Sequence, residues 1–130
     1  MEKKIIHSYK DLIVWQRSIE LIVAVYILTE HFPREEIYGL TSQMRRAAIS
    51  IASNIAEGRA RGTKKDFVQF LRISFASGAE LETQITAAKL LPRTKSLNYS
   101  NADSLLEEVM KMLNTMIKKL NPNEASEAKS

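Results

Sequence analysis

The chain has 130 residues, 45% of them hydrophobic and 26% charged, which suits one domain that buries roughly two-thirds of its unfolded surface. With no cysteine, disulfides, thiolate metal sites and thiol catalysis are excluded, and a reducing cytoplasm is the expected location. Nineteen basic residues against fifteen acidic leave a net charge of +4, which permits a polyanionic partner without requiring one. Met1 to His7 breaks into charge before any apolar region forms, and the longest apolar run, Leu21 to Leu28, is too short for a bilayer. Neither a signal peptide nor a membrane partner is expected.

Four amphipathic helices follow one another. Ser8 with Asp11 is a Ser/Thr-x-x-acid signature for a helix start, repeated at Thr63 with Asp66 and Ser100 with Asp103. The first helix, about Asp11 to His31, carries Leu12, Trp15, Ile19, Ile22 and Tyr26 as one stripe, which is expected to face the core. Pro33 ends it, and Pro33 with Glu35 and Glu36 suits the first turn of the next. The second helix, about Ile37 to Glu57, gathers Leu40, Met44, Ala48, Ile51 and Ile55, with Gly58 as its expected C-cap. The third, about Lys64 to Leu91, aligns Phe67, Leu71, Ser74, Gly78, Leu81 and Ile85 and is closed by Pro92. The fourth, about Asn101 to Leu120, concentrates Leu105, Val109, Met112, Leu113, Met116 and Leu120 before Asn121-Pro122 stops it. The expected fold is all-α: a single domain over residues 1–121, an antiparallel up-down-up-down four-helix bundle, with a polar, disordered tail at 122–130.

The first helix has a second apolar face. Val14, Leu21, Val25 and Leu28 fall almost opposite the Trp15–Tyr26 stripe, and one bundle buries only one face. The plainer alternative is a helix wrapped on all sides by its three neighbours. Self-association is favoured, with Val14, Leu21, Val25, Leu28 and Ile49 as the oligomer interface, so that Val25→Glu is expected to dissociate the assembly and leave helicity largely intact. The small residues Ala76-Ser77-Gly78-Ala79 allow a close helix approach. Gln43, Ser50, Asn54 and Glu57 share an edge of the core and need partners, for which Glu80, Thr83 or a neighbouring subunit is available; a structural network is favoured over a ligand site.

In an up-down bundle the N-terminus, the connection between helices two and three and the end of helix four meet at one pole. That pole collects Lys3, Lys4, Lys10, Arg59, Arg61, Lys64, Lys65, Lys118 and Lys119 against Glu2, Asp11, Glu57 and Asp66, nine bases to four acids and a local excess of +5. The adjoining helix N-terminus also attracts anions. Arg59, Arg61, Lys64, Lys65, Lys118 and Lys119 are the candidate phosphate contacts. No platform of exposed aromatics accompanies them, so base-specific readout is not expected. Arg45, Arg46 and Arg72 lie mid-helix on outward faces, where they extend the basic surface or line an interface between subunits.

Enzymatic chemistry finds no support. His7 and His31 are about 36 Å apart along a helical rise and have no Glu three residues before them. Adjacent acids such as Glu35-Glu36 and Glu107-Glu108 start or solvate helices, and Gly58 to Lys64 lacks both the Walker spacing and a preceding strand. No catalytic residue, metal, cofactor or small-molecule substrate is expected.

The chain closely resembles the four-helix-bundle family encoded in intervening sequences of bacterial large-subunit ribosomal RNA genes, also labelled ribosomal-protein-like. The resemblance covers roughly Leu12 to Gln84 and rests on Trp15-Gln16, Phe32-Pro33 with Glu36, Tyr38-Gly39-Leu40, Gln43 with Arg45-Arg46-Ala47, Ser50-Ile51 with Asn54-Ile55-Ala56-Glu57-Gly58, Phe70-Leu71 and Glu80-Leu81-Glu82. It implies a bundle, a homopentamer, and members mostly without an established activity. The related accessory proteins of diversity-generating retroelements are similar: basic pentameric bundles that engage a reverse transcriptase and its RNA. Ala76 stands where the family often has Gly, and Leu91-Pro92-Arg93-Thr94-Lys95 replaces a more hydrophobic continuation. The expected function is non-catalytic binding of structured RNA or a nucleoprotein through the basic pole. The alternative is a protein-interaction scaffold, for example accessory to a reverse transcriptase, acting through the apolar surfaces of helix one.

Overall fold

The computed structural model describes residues 7–122, so Lys3, Lys4 and nearly all of the expected tail lie outside the described residues. Within them the chain is all-helical and has no strand. Helices α1 (Ile13–Glu30), α2 (Ser42–Ala60), α3 (Lys64–Leu90) and α4 (Ser100–Leu120) pack as a bundle. No helix among these residues is long and apolar enough to cross a membrane.

The helix starts follow the sequence signals unevenly. Thr63 caps α3 as expected, its hydroxyl accepting from the Asp66 N–H at 3.1 Å. The Ser8–Asp11 capping box also forms, but it closes a single 3₁₀ turn at Tyr9–Asp11, and α1 begins two residues later. The Ser100–Asp103 cap does not form: Ser100 N–H donates instead to Asn98 Oδ1 at 3.0 Å, and Asp103 pairs with Lys89 at 2.6 Å. Arg34–Glu36 make a 3₁₀ turn, and a wider π turn over Ile37–Thr41 delays the continuous part of α2 to Ser42. Gly39 breaks the helical dihedrals there. A Cβ at Gly39 would stand 3.2 Å from Glu36 Oε2, the oxygen that accepts from Leu40 N–H at 3.2 Å.

The core runs through Leu21, Val25, Met44, Ile51, Ile55, Leu71, Leu81, Val109 and Leu113, all fully buried. The expected stripes of α2 and α3 supply much of it. That of α1 does not, and here the structure corrects the sequence reading. Val14, Leu21, Val25 and Leu28 are inside this chain's own core, so they are not a surface for a second subunit. The outward side carries Ile19, Val23 and Ile27, with Val23 53% and Ile27 55% exposed. The physical reason is side-chain size and chemistry. The buried face includes Ser18 and Ala24, which let neighbouring helices come close, and the Ser18 hydroxyl is satisfied by Trp15 O at 2.7 Å. Trp15 and Tyr26 have amphipathic rings that suit a boundary: Trp15 meets Tyr9 edge to face at 5.4 Å, and Arg45 covers Tyr26 at 4.4 Å.

Helices α2 and α3 make the tightest pairing. Gly58 is not a C-cap but a contact point inside α2, buried beneath α3, where a Cβ would come 2.5 Å from Phe70 Cβ. The left-handed residue after α2 is Gly62, at φ 86°. Ser74 donates to Ile51 O at 2.9 Å, Ser50 and Ser77 share a hydrogen bond of 2.9 Å, and Asn54 Nδ2 donates to Ser50 O at 2.8 Å. Of the expected polar edge of α2, Ser50 and Asn54 form a structural network whose partner on α3 is Ser77, whereas Gln43 and Glu57 are exposed, Glu57 pairing with Arg61, and Glu80 is exposed on α3. Thr83, one of the expected partners, donates instead to Ala79 O of its own helix. Gly78 receives Met110 of α4, as the small-residue run anticipates.

The α3–α4 connection has its own anchors. Thr94 is buried and donates to Ala88 O at 2.6 Å, and Tyr99 Oη donates to Thr94 O at 2.8 Å. Burial pushes the Tyr99 phenol above its ordinary pKa.

Two outcomes follow from this packing. Gly58→Ala is expected to lower the unfolding free energy by about 1–3 kcal/mol through overpacking against Phe70, read as a lower urea midpoint at unchanged slope. Val25→Glu is expected to abolish the cooperative thermal transition in circular dichroism, because it puts a carboxylate at a fully buried position.

Candidate functional site

The connection from α2 to α3 is short because Gly62 turns it and Thr63 immediately caps the next helix. This brings the expected basic residues to one end. Lys64, Lys65, Val68, Gln69 and Arg72 of α3 line a groove of about 700 Å³ with Leu120 and Asn121 at the end of α4. Lys64 and Lys65 are exposed and form no ion pair among the described residues. The carboxylate of Asp66 lies in the first turn of the same helix.

The other expected contacts differ in their availability. Lys118 and Lys119 occupy the last turn of α4, exposed, next to the groove's Leu120. Arg59 is half-buried in the last turn of α2. Arg61 is committed within the chain: its guanidinium pairs with Glu57 at 3.2 Å and lies 5.0 Å above the Phe70 ring. Lys10 is exposed in the 3₁₀ turn before α1, which packs against α2. Arg72, read from sequence as an outward mid-helix cation, joins Lys64 and Lys65 on the groove wall.

A second concave surface lies where α1 ends and α2 begins. It has a volume of about 890 Å³ and is lined by Tyr26, Thr29, Glu30, Phe32, Pro33, Arg34, Ile37, Tyr38, Thr41, Ser42, Arg45, Arg46 and Ile49. Arg45 is half-buried rather than outward. It stacks on Tyr26 and donates to the Thr29 hydroxyl at 2.9 Å. Tyr38 is 96% exposed. The Thr41 hydroxyl is buried and lacks a hydrogen-bond partner. Ile49, taken from sequence as an interface residue, is 40% exposed on this groove's wall. Sequence reasoning quoted Phe32-Pro33, Tyr38-Gly39-Leu40 and Arg45-Arg46 but assigned them no common site. The convergence depends on the π turn and the break at Gly39, which helical periodicity does not foretell.

Among the described residues no group of three or more His, Asp or Glu is placed to hold a metal ion. What both grooves offer is positive charge on a concave surface.

Known proteins fit this architecture. The family model described as 23S rRNA-intervening sequence protein matches residues 10–115. A solved structure from Bacteroides thetaiotaomicron, a protein of unknown function from the S23 ribosomal protein family, superposes with a TM-score of 0.65 at 25% sequence identity, over 82% of this chain and 99% of that one. Among curated proteins none matches. The matched span runs from the turn before α1 into the last turns of α4 and takes in every helix of the bundle, so the chain belongs to the 23S rRNA-intervening sequence protein family.

Proposed function

We propose that this protein is a non-catalytic, self-associating bundle of the cytoplasm that binds structured RNA or a nucleoprotein through its basic pole. The observation that carries the reading is the groove at the α2–α3 corner. Two exposed lysines with no acidic partner among the described residues, Lys64 and Lys65, stand on the first turn of α3, beside Arg72 and the lysine-bearing end of α4. Helix N-terminal N–H groups and unpaired ammonium groups act together on a phosphate, and neither requires a particular base. Lys118 and Lys119 support the same contact, and Arg59 borders it. Arg61 serves chiefly to hold the corner through Glu57 and Phe70.

An antiparallel up-down-up-down arrangement accounts for this meeting of chain segments. It is supported by the order of cross-helix pairs: Ser50 with Ser77, Ile51 with Ser74 and Gly58 with Phe70 run up α2 and down α3. Self-association is supported by the outward face of α1, where Ile19, Val23 and Ile27 leave an apolar strip that a single bundle does not cover. A homopentamer is the assembly the family resemblance implies. The same strip is the specific observation favouring the second reading, a protein-interaction scaffold.

Fluorescence anisotropy of a labelled RNA hairpin, titrated at several salt concentrations, tests the first reading. Wild-type affinity is expected to fall linearly in log–log against salt. The Lys64→Glu/Lys65→Glu variant is expected to bind at least tenfold more weakly with a slope shallower by about two. Absence of wild-type binding at low salt would overturn the RNA reading in favour of the scaffold. In sedimentation at micromolar concentration, Val23→Glu is expected to run as a 14.8 kDa monomer with wild-type helicity. A monomeric wild type would overturn self-association.

A further inference from the structure

The groove between the end of α1 and the start of α2 is separate from the basic pole, and its composition is unusual for a passive surface. Three arginines, Arg34, Arg45 and Arg46, face one acid, Glu30. Arg34 and Arg46 are exposed and form no ion pair among the described residues, so the groove has uncompensated positive charge. Its rim carries the Tyr38 ring, 96% exposed, a position that costs apolar hydration and contributes nothing to the core. Beneath its wall the Thr41 hydroxyl is buried and without a hydrogen-bond partner, although buried polar groups are ordinarily satisfied.

We infer that this groove binds a segment of single-stranded RNA, with one base stacked on Tyr38 and the adjacent phosphates held by Arg34 and Arg46. The charge selects an anionic occupant, and the exposed ring selects one with a flat face. Arg45, half-buried and pressed on Tyr26 at 4.4 Å, adds positive charge to the same groove. An acidic peptide would meet the charge but has less use for an exposed flat ring. The inference rests on the reading of RNA as the ligand class and adds a site that the basic pole does not include.

The test uses the full chain and a labelled twelve-nucleotide oligoadenylate, beside the hairpin used for the pole. Tyr38→Ala is expected to weaken oligoadenylate binding by about ten- to hundredfold with the salt slope unchanged, whereas Tyr38→Phe retains affinity. Arg46→Glu is expected to weaken binding and make the slope shallower by about one. Ultraviolet cross-linking followed by mass spectrometry is expected to place an adduct on the peptide containing Tyr38. If Tyr38→Ala leaves oligoadenylate affinity intact while Lys64→Glu/Lys65→Glu abolishes hairpin binding, the groove inference falls and the pole stands. If Tyr38→Ala loses the oligonucleotide and the lysine variant keeps the hairpin, the groove stands and the pole falls. Two further outcomes overturn the inference. One is a drop in sedimenting mass for Tyr38→Ala, which would assign the groove to a second copy of the chain. The other is a Tyr38-dependent affinity for an acidic aromatic peptide without one for RNA.

Discussion

The seam between α2 and α3 sets the position of much else in the molecule. Gly58 lets α3 approach until Phe70 rests on the α2 backbone, and no larger residue fits at that distance. Two polar contacts across the seam then fix the register, and a third within α2 supports them. Ser74 reaches Ile51 O, Ser50 meets Ser77, and Asn54 closes onto Ser50. Serine hydroxyls on a buried face favour one register strongly, because a slip of a residue would strand them without partners. With the seam locked, the chain from Ala60 to Lys64 has only a tight turn to make, and Gly62 makes it in the left-handed region. The positions of Lys64 and Lys65 are therefore a consequence of packing two turns away from them.

Helix α1 shows how a bundle chooses between two apolar stripes. Both stripes have the right spacing, so hydrophobic period alone does not rank them. Packing does. Val14, Ser18, Leu21, Ala24 and Val25 are small or moderate in size and allow α2 and α4 to close in, whereas Trp15 and Tyr26 would hold them apart. The aromatic residues go to the boundary and find Tyr9 and Arg45 there. Left outside are Ile19 of the aromatic stripe and, beside it, Val23 and Ile27, which belong to neither stripe; they are the apolar surplus that a single chain does not bury. The surplus itself follows from the sequence; its sign follows from side-chain volume.

That division describes what was legible. Four helices, the cap at Thr63 and the core stripes of α2 and α3 follow from local spacing and residue type, since each depends on neighbours within a turn or two; the run of small residues announces a close approach at Gly78 without naming Met110 as what fills it. Glycine commonly follows a helix, so Gly58 has the look of a terminus in the sequence, but its use is set by Phe70, twelve residues on and in another helix. Asp103 is drawn from its expected cap by Lys89, and the exposed Arg61 is tied to Phe70 and Glu57. The basic corner was visible as a run of charge in the chain. The groove around Tyr38 was not, because it needs the π turn at Ile37–Thr41 to swing Tyr38 outward while Arg45 folds back on Tyr26.

The two basic surfaces are far enough apart to act separately. Arg46 and Arg59 are thirteen residues apart on one continuous helix, a rise of about 20 Å. Side chains at that separation, with no shared partner, ordinarily contribute additively to binding or stability. Between them the outward side of α2 presents Ile49 and Ser53, exposed and uncharged, so no ladder of cations joins the two ends. A ligand that engaged only one surface would lose affinity from substitutions at that end alone. A longer strand that engaged both would show the product of the two losses, and its salt slope would combine the phosphate contacts made at each. The length of RNA required to reach that combined slope thus reports the distance between the surfaces, and it does so without any assumption about sequence preference.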